Sequence, residues 1–256
     1  GRNIYEKKLR IALTSLKIIN NFSLNGLLHY LDIKRGYYSK IMFASITFNP
    51  DANAVDGFVG RGSESSWANC HDQAIGDVND STSATETCGT VIAEATGSGW
   101  FSMRRGFFLF NTASIGSGNT VVSAIFSLYV NTVTDQLDTG RALAMINTAP
   151  ASDTALVNGD FTDGVESGTT QQATNLTLAN LTTSAYNDFI LNSTGTGNIS
   201  KTGVTKFGTR IEADRANTAP TWVSGQILSV NVNFSESASN DPRLVVVISS
   251  GYLGKQ

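Results

Sequence analysis

The fold of this chain is decided by the stretch Arg104-Arg105-Gly106-Phe107-Phe108-Leu109-Phe110-Asn111 and by the segment Thr120 to Val133 that follows it. In the second segment an apolar set falls at every second position, namely Val122, Ala124, Phe126, Leu128 and Val130. Ser123, Ser127 and Asn131 occupy the alternate positions. Because strand side chains point alternately to opposite faces, this spacing predicts a strand with a core face and a wetter face. Residues 112–119 are rich in Gly, Ser and Asn and predict the turn between the two strands.

The composition favours a large β domain with many turns. The chain has 256 residues, of which 41% are hydrophobic and only 15% are charged, and it contains 24 glycines. An average soluble domain is about 25% charged. A length of this order can form one β-sandwich domain, and the composition is typical of extracellular or virion-surface proteins.

The charge distribution divides the chain near Met42. Residues 1–41 hold eight basic and two acidic residues, a net charge of +6, whereas residues 42–256 hold ten basic and nineteen acidic residues, a net charge of −9. We therefore predict a basic extension over 1–41 and a β domain over 42–256. A natural start at Met42, with 1–41 lying upstream of it, is the alternative interpretation. The acidic body argues against nucleic-acid binding, which depends on Lys and Arg.

Two amphipathic helices are predicted in the extension. Leu9, Leu13 and Leu16 recur at helical spacing within Ile4 to Asn20, and Ser23 could cap a second helix over Leu24 to Asp32. Neither segment has about 20 consecutive apolar residues, so no transmembrane span is predicted.

Short strands are predicted along the rest of the chain, with little helix. Residues 60–99 are interpreted as long loops around short strands, and Asp153 to Asn175 as a loop. The further strand candidates are Phe43–Phe48, Ala142–Ile146, Leu176–Leu181, Tyr186–Leu191, Val204–Ile211, Ile227–Phe234 and Leu244–Ser249. Eight or nine such strands predict an all-β protein, an antiparallel β-sandwich of the jelly-roll kind, with a short basic α-helical N-terminal extension.

The central hairpin resembles that of DNRLRE-type domains, which are carbohydrate-binding-module-like jelly rolls found in phage and microbial surface proteins. The similarity is carried by residues 103–115 and 120–129, where Asn111 stands at the position of the family's Asp and Gly116 at that of its Pro. Residues 185–189, 205–210 and 241–246 are similar to downstream stretches of the same family. The resemblance covers about residues 43–252 and implies glycan binding or surface display.

Four aromatic residues are the candidate ligand-binding residues: Trp67, Trp100, Trp222 and Tyr186. An exposed flat ring offers apolar area on which the C–H face of a sugar can stack. Packing at the ends of buried strands would account for the same rings.

No catalytic, cofactor or zinc motif is present. G-x-S-x-G, H-E-x-x-H, the P-loop and G-x-G-x-x-G are all missing, and His29 and His71 are the only histidines. The carboxylate pairs Asp160 with Asp163 and Asp135 with Asp138 are interpreted as solvated loop residues. Arg104, Arg105 and Arg210 are interpreted as strand-edge or buried ion-pair residues.

Two further features leave alternatives open. Cys70 and Cys88, 18 positions apart, could form a disulfide or remain free thiols. A structural Ca²⁺ could bind the oxygens of Asp51, Asn53 and Asp56 or of Asp77, Asn79 and Asp80, although Asx-turns explain these residues more simply. No other cofactor is expected.

These features favour a non-enzymatic module at an extracellular or virion surface that binds a glycan or mediates attachment. The alternative is a purely structural assembly module of a fibre or tail, in which the partners are neighbouring subunits or further copies of the chain. A polysaccharide-active enzyme is the third interpretation.

Overall fold

The computed structural model describes residues 28–33, 37–162 and 170–255. The expected helix over Ile4 to Asn20 and the carboxylate of Asp163 lie outside these residues. Thirteen strands are present in the described ranges: β1 Leu28–Ile33, β2 Tyr37–Phe48, β3 Asp56–Glu64, β4 Val78–Asp80, β5 Thr85–Ala93, β6 Trp100–Asn111, β7 Thr120–Asp135, β8 Ala142–Asn147, β9 Leu176–Thr177, β10 Ala185–Ile190, β11 Val204–Ile211, β12 Ile227–Asn233 and β13 Arg243–Lys255.

Helices in the described residues are short. They are α1 Trp67–His71, α2 Ser193–Gly197 and α3 Glu212–Arg215, with 3₁₀ turns at Ala113–Ile115, Asn158–Phe161 and Leu178–Asn180. None of the described helices is long and apolar enough to cross a membrane. The predicted all-β, antiparallel architecture is therefore confirmed.

The described chain forms two compact units. One combines the described residues before position 46 with those after 248, and the other is Ile46–Ile248. In the first unit β1 pairs antiparallel with β2, with Leu28 opposite Met42 and Ile33 opposite Tyr37. β2 runs through position 42, and the expected division of the chain at that point stays a prediction.

The second unit is one curled sheet in which long strands change partners. Its order is β13-β7-β12-β5-β6-β11-β8-β9, with β10 also on β7, β3 also on β6, and β4 on β3. β6 pairs with β3 along one edge. Along its opposite edge β6 pairs with β5 through residues 100–105 and with β11 through residues 106–111. β7 likewise pairs with β10 through residues 125–130 and with β12 through residues 130–135. Such exchanges fold the sheet over itself, as in a sandwich.

Phenylalanine side chains fill the centre of this unit. Phe126 of β7 lies 5.1 Å from Phe108, 5.8 Å from Phe110 and 5.9 Å from Phe189, measured between ring centroids. The register explains these contacts, since Phe126 is opposite Phe189 on β10. The rings of Phe126 and Phe189 are stacked, and those of Phe108 and Phe110 meet Phe126 tilted and edge-on. Such ring pairs add to the free energy gained from burying apolar area.

Gly106 is required for close approach between β6 and its neighbours. A Cβ atom at this position would lie 2.6 Å from Oγ1 of Thr209 and 2.7 Å from the main-chain oxygen of Cys88. The Thr209 hydroxyl itself donates to that oxygen at 2.6 Å. The glycine in the Arg-Arg-Gly run therefore permits contact between three strands.

The predicted faces of β7 are confirmed except at two positions, Val122 and Ser127. Ala124, Phe126, Leu128 and Val130 are buried, but Val122 is 49% exposed. The reason is pairing length, because β10 ends opposite Ile125 and leaves the start of β7 without that neighbour. Ser127, expected on the wetter face, is also buried.

Three local predictions were wrong. Residues 28–32, expected in a helix over Leu24–Asp32, belong to the strand β1, where hydrogen bonds to β2 replace helical ones. Of the strand expected over Leu176–Leu181, only Leu176–Thr177 is extended, and a 3₁₀ turn follows. Residues 60–99 contain a full nine-residue strand, β5, within what was expected to be mainly loop.

Candidate functional site

Three tryptophans that are distant in sequence meet near one end of β6. The Trp67 ring, on α1, packs edge-on against Trp100 with 5.0 Å between centroids. The indole nitrogen of Trp222 donates to the main-chain oxygen of Gly99 at 2.9 Å, which places Trp222 beside the residue before Trp100. We call Trp67, Trp100 and Trp222 the tryptophan cluster.

The rings of the cluster differ in exposure. Trp100 is only 3% exposed, so it offers no face for a sugar and serves as packing. Trp67 and Trp222 are half-buried against the core and keep part of each ring accessible. The proposed stacking role therefore remains a prediction for Trp67 and Trp222, and burial explains why it does not suit Trp100.

Hydrogen bonds fix the orientation of Trp67. Its indole nitrogen donates to Oδ1 of Asn217 at 2.8 Å, and its ring stacks on His71 at 5.8 Å. Asn217 has a φ of 47°, a left-handed conformation that Asn tolerates better than most residues. The helix α1 begins with a capping hydrogen bond from Asn69 N to the Ser66 hydroxyl. The Trp67 ring is therefore held by two contacts, the hydrogen bond to Asn217 and the stacking on His71.

A buried charge cluster contacts α1 and consists of Arg105, Arg210 and Asp214. The Asp214 carboxylate accepts from Arg105 at 2.8 and 3.1 Å and from Arg210 at 2.6 and 2.7 Å. Burial alone would raise the pKa of Asp214, but the two guanidinium groups hold it well below its usual value. The predicted ion-pair role of both arginines is confirmed.

The charge cluster also connects to α1. Arg105 donates through Nη2 to the main-chain oxygen of His71 at 3.1 Å, and a ring nitrogen of His71 contacts the main-chain oxygen of Asp214 at 2.7 Å. The Arg105 guanidinium also covers the Phe161 ring at 3.8 Å. Arg104, by contrast, pairs with Glu86 at 2.7 Å in a partly exposed position. The buried cluster therefore anchors the helix that carries Trp67.

Tyr186 lies outside the tryptophan cluster, on β10. Its hydroxyl donates to the main-chain oxygen of Asp241 at 3.2 Å, and its ring meets Tyr129 edge-on at 5.5 Å. The Arg243 guanidinium covers one face of the Tyr186 ring at 3.8 Å. The structure therefore does not bring all four predicted aromatic residues into one site.

Cys70 and Cys88 are free, buried thiols rather than a disulfide. Cys70 is on α1, whereas Cys88 is within β5 and is fully buried. Burial raises the pKa of each thiol to about 12. Since the thiolate is the reactive form, neither cysteine is suited to nucleophilic chemistry.

The candidate calcium ligands make local hydrogen bonds. Asp51 Oδ1 accepts from the amide of Asn53 at 2.7 Å, and Asp80 Oδ1 accepts from that of Thr82 at 2.7 Å, which are Asx-turns. The described residues contain no group of three or more His, Cys, Asp or Glu side chains arranged to hold a metal ion. A structural Ca²⁺ remains a prediction without direct support.

The carboxylates considered as catalysts have structural partners. Asp160 is buried and accepts from the amides of Ala151 and Val157 at 2.8 and 2.9 Å. Asp135 forms a bidentate pair with Arg141 at 2.7 Å, and Asp138 accepts from the amide of Thr221 at 2.9 Å. These contacts orient loops.

Sequence reasoning missed an open pocket of about 190 Å³ near β9 and β10. Its lining residues are Asn175, Leu176, Thr177, Asn180, Leu181, Asn187 and Asp188. Asn187 is already engaged with the main chain of Thr182 at 2.9 Å, whereas Asp188 is exposed. The repeated Asn-Leu-Thr in residues 175–182 is the only sequence signal for it.

No known family model matches this chain, and no curated protein is significantly similar to it. The resemblance to DNRLRE-type domains therefore stays a prediction.

Proposed function

We propose that this protein is a non-enzymatic β-sandwich module that binds a glycan through the exposed parts of Trp67 and Trp222. The observation that supports this proposal most directly is the Trp67 ring, which is only partly buried and is anchored through Asn217. A ring whose orientation is already set loses little conformational entropy when a sugar stacks on it.

A rigid base beneath the rings supports the same proposal. The buried Arg105–Asp214–Arg210 cluster and the packed Trp100 ring hold α1 in place. Polar groups beside Trp67, the carboxylate of Asp72 and the amide of Asn217, are exposed and suited to hydrogen bonds with hydroxyl groups.

A binding role is favoured over hydrolysis because the acidic residues weighed as catalysts act structurally. Asp135, Asp138 and Asp160 each accept hydrogen bonds from other parts of the protein. The cysteines are likewise neutral and buried. Attachment at a cell or virion surface is part of the proposal, and it depends on the composition and on the family resemblance.

A glycan array tests the proposal with the wild type and the variants Trp67→Ala and Trp222→Ala. Each substitution should weaken binding about five- to tenfold, since a stacked aromatic contact contributes about 1 kcal/mol. Phe101→Ala is the matched control, because Phe101 is 56% exposed and points to the face of β6 opposite Trp100.

A reducing-sugar assay on the bound glycans tests whether the protein is non-enzymatic. Binding that persists unchanged in both tryptophan variants would exclude the site, and sugar released by the wild type would exclude the non-enzymatic role.

A further inference from the structure

The charges around Trp222 favour one class of glycan at the tryptophan cluster. Trp222 is fixed against the turn between β5 and β6, since its indole nitrogen and the amide of Glu94 both donate to the main-chain oxygen of Gly99, at 2.9 and 3.0 Å. The loop after Trp222 returns to the same turn, because the amide of Gly225 donates to the main-chain oxygen of Glu94 at 3.1 Å. Trp222 and Glu94 are therefore held as neighbours.

The carboxylate of Glu94 carries an unpaired charge beside the Trp222 ring. A Cβ atom at Gly99 would lie 2.7 Å from Oε2 of Glu94, which places the carboxylate next to the residue whose oxygen binds the indole nitrogen. Glu94 is half-buried, and within the described ranges its carboxylate has no hydrogen bond or ion pair. No protein group therefore neutralises this charge.

A second carboxylate adjoins the residue before Trp222. Oδ1 of Asp138 accepts from the amide of Thr221 at 2.9 Å, and Asp138 is exposed. Hydrogen bonds from Thr221 lower the pKa of Asp138, so this carboxylate is ionised at neutral pH. The base that follows it in sequence, Arg141, pairs with Asp135 instead.

The loops that meet at Trp222 carry acids and no base. These loops are residues 94–99, 136–140 and 217–226. Their charged side chains are Glu94 and Asp138 alone. An aromatic face attracts cations through its electronegative ring, and Trp does so most strongly of the aromatic residues. Nearby carboxylates add to this attraction, and they repel anionic groups such as carboxylates and sulfates.

We propose that the glycan bound at this site carries free amino groups, and that one ammonium group lies against Trp222, where Glu94 and Asp138 supply the opposite charge. The inference rests on the proposed function, glycan binding at Trp67 and Trp222, and adds the class of sugar. Trp67 stacks on the C–H face of the glycan, and the ammonium group is the cation that the two carboxylates lack. Polymers of 2-amino-2-deoxy sugars have this chemistry, whereas N-acetylated sugars are neutral and uronic acids are anionic.

Two short oligosaccharides with the same backbone test the inference. One is a β-1,4-linked glucosamine oligomer, and the other is its fully N-acetylated form, which has no charge on nitrogen. Titration calorimetry of the full chain in a mildly acidic buffer keeps the amino groups protonated. The wild type should bind the free-amine form about tenfold more tightly, as expected for a cation–π contact together with partly exposed ion pairs. Added salt should reduce this preference, because exposed charges are screened.

Glu94→Gln and Asp138→Asn each remove one charge while keeping the size of the side chain. Each should reduce the preference for the free-amine form about threefold, and the double variant should abolish it. Binding of the N-acetylated form should not change in these variants, whereas Trp222→Ala should weaken binding of both forms. Asp188→Asn is the matched control, since it removes an exposed carboxylate on β10, outside the loops that meet at Trp222, and should keep the preference.

Thermal melts establish that every variant is folded. A wild type that binds neither oligosaccharide or prefers the N-acetylated form, or a preference that survives in the folded double variant, would overturn the inference. A preference lost in Asp188→Asn would do the same, because it would show a general attraction of cations to an acidic protein. Tighter, Trp222-dependent binding of an oligolysine peptide would assign the site to a cationic peptide instead. Failure of the proposed function is seen separately on the glycan array, as binding unchanged by Trp67→Ala and Trp222→Ala.

Discussion

At the scale of single residues, Asp56 couples folding to pH. Its side chain is buried at the start of β3, where the carboxyl accepts from the amide of Ser235 at 2.9 Å and contacts the Ser235 hydroxyl at 2.6 Å. Burial raises the pKa of Asp56 from 3.8 to about 7, the hydrogen bonds from Ser235 oppose this rise, and the nearby charge of Glu236 adds to it.

Asp56→Asn should remove a pH dependence of stability between about pH 4 and pH 7. In this window the unfolded chain has lost the Asp56 proton but the folded protein keeps it, so the free energy of unfolding of the wild type falls as pH rises. A shift of this size corresponds to on the order of 4 kcal/mol. Asparagine preserves both contacts, since its oxygen can accept from Ser235 N and its amide can donate to the hydroxyl.

Urea unfolding of both proteins across this window measures the effect. Asp77→Asn, at an exposed carboxylate, is the control and should follow the wild type. A wild type whose stability is constant from pH 4 to pH 7 would contradict the assignment.

At the scale of elements, β7 divides into a packed and an unpacked part. Phe126→Ala should lower the free energy of unfolding by about 3 to 5 kcal/mol, because it leaves a cavity among Phe108, Phe110 and Phe189. Val122→Ala, four residues earlier and facing the same way, should change it by less than about 0.5 kcal/mol. Chemical denaturation compares the two, and equal losses would show that the start of β7 is packed in solution.

The ion pairs of the Arg105–Asp214–Arg210 cluster join three elements, β6, β11 and α3. Asp214→Asn should cost about 3 to 5 kcal/mol, since two buried guanidinium groups lose their carboxylate. Asp135→Asn is matched to it, because it removes the acid of an ion pair whose arginine is exposed, and it should cost less than about 1 kcal/mol. Denaturant unfolding at neutral pH separates the two, and a small loss on Asp214→Asn would contradict the anchoring role of the cluster.

At the scale of the whole molecule, the core lies within one unit. Among the residues whose side chains the structure describes, the buried hydrophobic ones fall between Phe48 and Ile248, inside the unit Ile46–Ile248. Deleting residues 1–41 should therefore leave cooperative thermal unfolding with a melting temperature close to that of the full chain. A broad, non-cooperative transition in the truncated protein would show that the extension contributes to the core.

Predictions from the sequence were correct where the pattern lies within one strand, and they were wrong where the structure depends on a neighbouring strand. The alternation in Thr120–Val133 predicted β7 because period-two spacing is a property of the strand itself. The same reasoning placed Val122 in the core, since spacing does not reveal where the neighbouring strand ends. Leu28–Ile33 has an apolar pattern compatible with a helix, and only its pairing with β2 makes it a strand.

Alternation and turn residues predicted the all-β class, the strands β6 and β7 and most of the later strands, because both signals are encoded within short stretches. The prediction that β6 and β7 form a hairpin was wrong, since β6 pairs with β3, β5 and β11 whereas β7 pairs with β13, β12 and β10. Which side chains meet depends on how the strands pack in three dimensions. Trp67 meets Trp100, and Asp214 pairs with Arg105, across strands that the curled sheet brings together. The raised pKa of Asp56 likewise arises from burial and from neighbours distant in sequence, which no local pattern specifies.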